Sequence, residues 1–300
     1  MNQVSISGVF PVLPTVFDAA GNPDLDGMAN VVEYVIGSGA DGLVFPGLAS
    51  EYDMLTLEER STLITFVGER VRGRVAMVVG ASSDQVADSA RLAQAGAAAG
   101  AVAAMVMTPR AIGGEAAALA DFYTSLGATA GLPIMLQNAP APMGLGLDSP
   151  TVAHIARSSP AVAWVKEETM PCGQRISALR QSGLAQLKGV FGGAGGRYIV
   201  DELRRGAIGS MPAAETPEVH VALMKAFRRG DWDTVRRLYE ALLPILMVQA
   251  VFRWRLTKEV LLRRGVIRST FTRAPGPAFD AADLDELGTI LTRLEAACPA

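Results

Sequence analysis

Short apolar runs alternate along the chain with longer stretches in which apolar residues recur at helical spacing. Eight such runs occur before about residue 230, and they cover 8–14, 42–47, 74–80, 101–107, 132–138, 161–166, 185–193 and 207–213. Near-continuous apolar character without strict alternation is typical of strands that are buried on both faces of a parallel sheet. The pattern therefore predicts eight parallel strands with a helix after each.

Helix start and stop signals lie between these runs. Thr56 and Glu59 form a capping-box pattern, which predicts a helix running towards Val71. Further helices are predicted to open at Ser82 or Ser83 and close at Gly96, to open at Ser149-Pro150 and end near Ser159, and to span 197–206.

Eight strand–helix units of about 25 residues predict an α/β fold, a (β/α)₈ TIM barrel, which typically needs about 250 residues. An open doubly wound sheet is the alternative that this pattern leaves open. Helical spacing continues after the eighth unit, over 231–247, 251–264 and 281–296. We therefore expect a catalytic barrel over residues 1–230 and a C-terminal helical extension over residues 231–300.

Composition excludes several classes of protein. The 300 residues include 27 basic and 30 acidic side chains, a formal charge of −3, so the chain lacks the positive charge expected for binding nucleic acid. The long uncharged stretches 92–109 and 122–147 are rich in alanine and glycine or broken by proline, and neither predicts a membrane span. The first residues do not form a signal-peptide pattern. We expect a cytoplasmic protein that contacts neither membrane nor nucleic acid.

The two cysteines, Cys172 and Cys298, are too few for a disulfide framework or for a four-cysteine zinc site. His154 and His220 lie within helical patterns, where a lone histidine is more often packed than catalytic. The motifs of zinc proteases, serine hydrolases and P-loop enzymes are missing from the sequence. We therefore expect neither a metal nor histidine-based catalysis.

Catalytic groups in such a barrel project from the carboxyl ends of the strands. Only four of the 27 basic residues are lysines, and lysine, unlike arginine, can lose its proton and form an imine with a ketone. Lys225 and Lys258 lie in helical patterns and are expected to be solvated, and Lys188 is expected towards the middle or bottom of the barrel. Lys166 closes the sixth run.

Two interpretations of Lys166 stay open at this point. The apolar residues before it favour a neutral, nucleophilic amine. Alternatively, Lys166 is a structural lysine paired with Glu167 or Glu168 at the end of a strand. A glycine-rich stretch, 192–196, has a similar ambiguity, because it could offer backbone N–H groups to an anion or could simply be a tight turn.

Several segments together resemble one family. They are Gly42-Leu-Val-Phe-Pro-Gly47 with Ser50-Glu51, Leu57-Glu-Glu-Arg60, Pro133-Ile-Met-Leu-Gln-Asn-Ala-Pro140, Trp164-Val-Lys-Glu-Glu-Thr169 and Gly206-Ala-Ile-Gly-Ser210. Over essentially its whole length the chain resembles the dihydrodipicolinate synthase/N-acetylneuraminate lyase superfamily of class I aldolases. The resemblance implies a (β/α)₈ barrel with a C-terminal helical extension, and a small-molecule 2-oxo acid bound as a Schiff base on Lys166.

The chain departs from that superfamily at specific positions. Gln137 stands where the synthase and the lyase have a proton-relaying tyrosine, and Leu48 and Ala49 replace two threonines of the loop that grips the 2-oxo carboxylate. The synthase's second tyrosine falls near Arg110 and Ala111, and its substrate arginine falls near Pro142. These departures argue against dihydrodipicolinate synthesis.

One branch looks more similar, the 2-keto-3-deoxy sugar-acid dehydratases, typified by L-2-keto-3-deoxyarabonate dehydratase. The shared segments are Pro14–Phe17, Ser50-Glu51, Gln137–Pro140 and Lys166–Thr169. The resemblance implies dehydration through a lysine imine, without a cofactor. A retro-aldolase, a deaminating lyase such as pyrroline-4-hydroxy-2-carboxylate deaminase, and a non-catalytic 2-oxo acid binding protein stay open as alternatives.

The resemblance also implies roles for individual residues. The predicted catalytic residues are Lys166, Gln137 and Ser50. The predicted substrate-binding residues are Leu48, Ala49, Asn138, Gly192 and Gly193. The sequence does not identify an ionisable base. A homo-oligomer, a tetramer or a dimer, is expected from the superfamily alone.

Overall fold

Eight parallel strands form the centre of the fold. The computed structural model describes residues 6–298, and its strands are β1 (Gly8–Val9), β2 (Gly42–Phe45), β3 (Ala76–Gly80), β4 (Ala103–Met107), β5 (Ile134–Asn138), β6 (Val162–Glu167), β7 (Gly189–Gly192) and β8 (Gly209–Ser210). Their order in the sheet is β1-β8-β7-β6-β5-β4-β3-β2. Val12 forms parallel bridges to both Val44 and Ala213 and so joins the two ends of the sheet. The predicted TIM barrel is confirmed.

The first strand is much shorter than the predicted run of 8–14. Pro11 and Pro14 interrupt this run, and proline has no N–H to donate to a sheet. The Pro11 carbonyl still accepts a hydrogen bond from the N–H of Val44. The first segment therefore closes the barrel through isolated bonds rather than a continuous ladder.

A helix follows each strand, and three further helices follow the barrel. The eight barrel helices are α1 (Leu25–Gly37), α2 (Leu57–Val71), α3 (Val86–Ala98), α4 (Ala116–Thr129), α5 (Ser149–Ser158), α6 (Cys172–Gln181), α7 (Ile199–Arg204) and α8 (Pro217–Arg228). The C-terminal helices are α9 (Trp232–Phe252), α10 (Trp254–Arg263) and α11 (Ala281–Ala297). None of the helices described is long and apolar enough to cross a membrane.

The capping signals have mixed outcomes. The predicted capping box is present at the start of α2, where Thr56 and Glu59 each bond the other's backbone N–H. Neither serine caps α3, so that prediction is wrong: Gln85 precedes the helix. The Ser82 hydroxyl instead accepts a hydrogen bond from the N–H of Met107 on the neighbouring strand. The Ser82 side chain therefore bonds to a neighbouring strand, although the local pattern predicted that it caps the helix.

Alternation along the strands separates two apolar clusters. One lies inside the barrel, and the other lies between the strands and the surrounding helices. Met135 and Trp164 are register partners on β5 and β6 and belong to the inner cluster. Gln137 and Lys166 are also partners, two residues further along. Because side chains repeat every two residues, Gln137 and Lys166 point into the barrel at its carboxyl end.

Lys258 differs from its prediction. It was expected to be solvated because it lies in a helical pattern, but on α10 it is completely buried. Its amine pairs with Glu51, which follows β2 and lies 207 positions away in sequence. The prediction is wrong because a helical pattern does not reveal a distant partner.

Candidate active site

A cavity lies at the carboxyl end of the barrel, between the strands and the C-terminal helices. Its volume is about 390 Å³. The barrel contributes Val12, Leu48, Ala49, Lys166, Glu168 and Met211 to its lining. The C-terminal helices contribute Met247, Gln249, Ala250, Arg253, Trp254 and Thr257. The site is therefore shared between the barrel and the extension.

Lys166 and Glu168 form a buried ion pair at this cavity. Lys166 Nζ lies 2.5 Å from Glu168 Oε1, and both side chains are almost completely buried. Gln137 Nε2 donates a hydrogen bond to the same Glu168 oxygen at 3.0 Å. Lys166 therefore has the carboxylate partner of the second interpretation, which is Glu168, and it also adjoins a cavity.

Two glycines make room for buried carboxylates near the site. A Cβ on Gly193 would lie 2.6 Å from Cγ of Glu168, and a Cβ on Gly192 would lie 1.9 Å from Oε2 of Glu202. Neither glycine lines the cavity, although Ala194 and Gly195 do. Gly192 and Gly193 thus contact the supporting carboxylates rather than the cavity.

Ser50 lies beneath the loop that lines the cavity. Its hydroxyl donates to the carbonyl of Leu13 at 2.5 Å and accepts from the N–H of Gly47 at 2.8 Å. It is completely buried and does not line the cavity. Leu48 and Ala49, in the same 3₁₀ turn, do line it. The geometry of Ser50 therefore supports the turn from below.

Asn138 points away from the cavity. Its Nδ2 donates to the Leu147 carbonyl and to the Glu167 carboxylate, while its Oδ1 accepts from the N–H of Leu147. Burial raises the pKa of Glu167 to about 7, and hydrogen bonds from Asn138 and Thr169 act in the opposite direction. Of the adjacent side chains 137 and 138, only Gln137 bonds to the side chain of Glu168, whereas the Asn138 carbonyl accepts the backbone N–H of Glu168.

The C-terminal extension supplies lining residues that the sequence analysis did not identify. The Trp254 indole donates to the Leu48 carbonyl at 2.6 Å. Arg197 donates to the side chain of Gln249, and Arg253 stacks on Trp254. The Arg197–Gln249 and Trp254–Leu48 bonds join residues about 50 and about 200 positions apart. From the sequence, Glu168 is predicted only as a partner for Lys166. Its position two residues after a strand-end lysine is the sequence feature that could have identified it as a site residue.

The second buried pair has no access to the cavity. Lys258 Nζ lies 2.6 Å from Glu51 Oε1 and donates to the Phe271 carbonyl at 2.7 Å. The other Glu51 oxygen accepts from the N–H of Ala274 at 2.7 Å. Burial lowers the pKa of Lys258 to about 8, although the charge of Glu51 opposes that shift.

Residues 5–294 match the profile of the Dihydrodipicolinate synthetase family. The chain belongs to this family. It is accordingly a member of the class I aldolase superfamily of lyases, whose members act on small 2-oxo acids. This confirms the resemblance deduced from the sequence motifs.

Curated relatives carry more than one activity in their names. The chain is 33% identical over 298 residues to L-2-keto-3-deoxyarabonate dehydratase of Azospirillum brasilense, which covers 96% of this chain and 94% of the relative. It is 29% identical over 259 residues to 4-hydroxy-tetrahydrodipicolinate synthase of Maridesulfovibrio salexigens, covering 83% and 84%.

Solved structures have the same fold. One is YagE, a prophage protein of the dihydrodipicolinic acid synthase family from Escherichia coli K12, solved in complex with pyruvate. It has a TM-score of 0.88 and 25% identity, covering 97% of this chain and 99% of YagE. Dihydrodipicolinate synthase from Rhodopseudomonas palustris has a TM-score of 0.89 and 24% identity, covering 98% and 99%.

Proposed function

We propose that the protein dehydrates a 2-keto-3-deoxy sugar acid through an imine on Lys166. The observation that carries this proposal is the contact of a buried lysine amine with a carboxylate at the wall of a cavity of about 390 Å³. The A. brasilense dehydratase supports the choice of reaction, because it is similar over nearly the whole chain.

Glu168 is the group we propose for proton transfer. To attack a ketone, the Lys166 ammonium must first lose a proton, and Glu168 Oε1 lies 2.5 Å from its nitrogen. Gln137 donates to the same carboxylate and holds its orientation. Gln137 thus acts through Glu168, which supplies the ionisable base that sequence reasoning did not identify.

The imine makes dehydration possible without a hydroxide leaving from an unactivated carbon. The C=N bond at C2 accepts the electron pair when Glu168 removes a proton from C3, and this forms an enamine. The enamine electrons then form the C3=C4 bond and the C4 hydroxyl leaves. The protonated Glu168 donates its proton to this hydroxyl, so that it leaves as water. In a five-carbon monoacid the resulting C3=C4 double bond then isomerises: C5 and its hydroxyl lose two protons, C3 and C4 gain two, and C5 becomes an aldehyde. Hydrolysis of the imine releases this product and frees Lys166. A positioned acid–base group of this kind is worth about 10²- to 10⁴-fold in rate.

The remaining residues have supporting roles in this proposal. The turn containing Leu48 and Ala49 borders the cavity, and we assign its backbone N–H groups to the carboxylate of the 2-oxo acid. Ser50 holds that turn through its two backbone bonds. Asn138 anchors the loop before α5, and Gly193 leaves space for Glu168.

Borohydride reduction in the presence of pyruvate or a 2-keto-3-deoxy acid, followed by peptide mass mapping, tests the imine. We expect a reduced adduct on the peptide containing Lys166. Lys166→Arg should lose the adduct and the turnover while keeping the thermal melting curve. Lys188→Arg is the matched control, since Lys188 is exposed, and should keep both. An adduct on another lysine, or turnover by Lys166→Arg, contradicts the proposal.

Product analysis separates dehydration from the alternatives. Cleavage releases pyruvate and deamination releases ammonia, whereas dehydration of a 2-keto-3-deoxy acid releases neither. From a five-carbon monoacid, dehydration yields 2-oxoglutarate semialdehyde. Ligand-dependent stabilisation without any product would instead support a binding protein and contradict the enzymatic proposal.

A further inference from the structure

The charged side chains that line the cavity do not balance. Lys166, Arg197 and Arg253 are basic, and Glu168 is the one acidic residue in the lining described. Glu168 is already paired with Lys166. A 2-oxo acid with a single carboxylate therefore leaves positive charge uncompensated in the cavity.

Arg197 is committed to the fold. Its Nε donates to the Leu246 carbonyl at 3.1 Å and its Nη1 to the Ala194 carbonyl at 2.6 Å. Its Nη2 bonds to the side chain of Gln249. These three bonds join the loop after β7 to α9, so the Arg197 guanidinium has a structural use.

Arg253 is different. Its guanidinium stacks on the Trp254 ring, 4.5 Å from the centroid, and its Nη2 lies 2.9 Å from the thioether sulfur of Met143. Sulfur is a weak acceptor. Within residues 6–298, no acidic side chain forms an ion pair with Arg253. A half-buried guanidinium at the cavity wall thus has most of its donors available.

The backbone at Arg253 is also unusual. The residue lies between α9 and α10 with φ 49° and ψ −116°, a conformation that favours glycine. Ala194, another lining residue, has φ 51°, and Glu51, which follows the Leu48–Ser50 turn, has φ 55°. Three of the four non-glycine residues with positive φ in the part described therefore border this site or its loop. Such strain concentrates where a side chain must be held in place.

We infer that Arg253 binds a second carboxylate at the end of the substrate remote from the keto group. The inference rests on the proposed function and sharpens it, because it makes the substrate a keto-deoxy sugar diacid rather than a monoacid. Lys166 holds the ketone carbon on the barrel side of the cavity, and Arg253 faces the same space from the extension. A guanidinium fork matches a carboxylate through two parallel hydrogen bonds.

Calorimetry with two ligands of equal carbon number tests the inference. 2-Oxoglutarate and 2-oxopentanoate both have five carbons and differ in the terminal carboxylate. We expect the wild-type protein to bind 2-oxoglutarate about 10- to 100-fold more tightly, as charge-assisted hydrogen bonds imply. Arg253→Met should abolish this preference and should weaken pyruvate binding much less than 2-oxoglutarate binding. Arg268→Met is the control, since Arg268 is exposed in the same extension, and should keep the preference.

Arg253→Gly provides a second variant, because glycine adopts the positive φ of this position without strain. It should fold at least as well as the wild type and also lose the preference. Equal affinity of the wild type for the two five-carbon ligands, or a preference that persists in either Arg253 variant, overturns the inference. Tighter binding of 4-phosphono-2-oxobutanoate than of 2-oxoglutarate overturns the choice of a carboxylate.

Borohydride trapping on the same samples separates the two proposals. A diacid preference that depends on Arg253 without an adduct at Lys166 contradicts the proposed function and supports the role of Arg253. An adduct at Lys166 without a diacid preference supports the proposed function and contradicts the role of Arg253.

Discussion

Two buried lysine–glutamate pairs in this molecule have nearly the same geometry and different surroundings. The amine–carboxylate distance is 2.5 Å for Lys166 and Glu168 and 2.6 Å for Lys258 and Glu51. The first pair borders a cavity, and its carboxylate receives a bond from Gln137. The second pair is fully enclosed, the Phe271 carbonyl accepts a further bond from its amine, and the Ala274 N–H donates to its other carboxylate oxygen.

This difference teaches that the ion pair itself does not identify a reactive lysine. Burial lowers the pKa of Lys258 to about 8, which by titration alone would make it a good nucleophile. No substrate can reach its amine, however, since its side chain is completely buried. Access to a cavity is the feature that separates the two lysines.

The largest expected effect comes from removing the amine at the cavity. Lys166→Met should abolish turnover and the borohydride adduct, because the bond to substrate cannot form. Glu168 would remain next to the cavity, where water can solvate it, so the melting temperature should fall only slightly. Adduct mapping and thermal melting measure the two effects. A large loss of stability would mean that the first pair is structural like the second.

Glu168→Gln tests the carboxylate of the same pair. The amide keeps the shape and can still bond to Gln137, but it cannot accept the proton, so kcat should fall by about 10²- to 10⁴-fold. Initial rates with a 2-keto-3-deoxy acid measure this effect. Unchanged kcat would contradict the acid–base role and would leave the carboxylate with a purely electrostatic one.

Lys258→Met should have its main effect on stability. It leaves Glu51 buried without a cation, and breaking a buried pair in this way costs about 3–5 kcal/mol. Urea unfolding measures the change, and Glu51→Leu together with Lys258→Met should recover much of it, since the uncompensated charge is gone. If the single variant is as stable as the wild type, the enclosed pair does not stabilise the fold.

Glu202 is a buried acid that forms no ion pair within residues 6–298, and it extends the comparison to pH. Burial, together with the nearby charge of Glu168, raises the pKa of Glu202 to about 8, although a hydrogen bond with Cys172 acts in the opposite direction. Between about pH 4.5 and 8 the folded state therefore holds a proton that the unfolded state has lost. Stability should fall as pH rises through this window, by up to about 1.4 kcal/mol per pH unit. Glu202→Gln should flatten the dependence measured by urea unfolding from pH 5 to 8, and an unchanged slope would contradict the assignment.

The smallest effect is expected for an exposed pair. Glu33 contacts Arg74 at 2.7 Å and Arg70 at 3.5 Å, but all three side chains are about 40% exposed. Glu33→Gln should lower the free energy of unfolding by less than about 1 kcal/mol, and added salt should reduce the difference. A loss as large as that of Lys258→Met would show that distance, rather than burial, sets the strength of these pairs.

The sequence predicts what depends on local pattern. Apolar runs and capping residues give the barrel and the box at Thr56, and the strand-end position gives Lys166 its place at the carboxyl end. Alternation along β5 predicts that Gln137 and Asn138 point to opposite faces of the sheet. It does not predict which of the two points into the barrel, because that depends on the register of β5 with its neighbouring strands.

What the sequence does not predict depends on contacts between distant segments. Lys258 pairs with Glu51, which lies 207 positions away in sequence, and the Ser50 hydroxyl donates a hydrogen bond to the carbonyl of Leu13. The lining residues on α9 and α10 have ordinary helical spacing, and nothing local distinguishes them from a solvated face. Long-range packing decides such positions. The site residues on the barrel were therefore easier to predict than those on α9 and α10.

The hydrogen bond from the Trp254 indole to the Leu48 carbonyl ties the end of the chain to a loop near its beginning. On our proposals, the residues that react with the substrate lie at the carboxyl end of the barrel, and the residue that selects it lies between α9 and α10. During evolution, exchange of the cavity-lining residues on α9 and α10 would change which substrate is bound and would leave Lys166 and Glu168 in place. Grafting α9 and α10 from a relative is the laboratory version of that event.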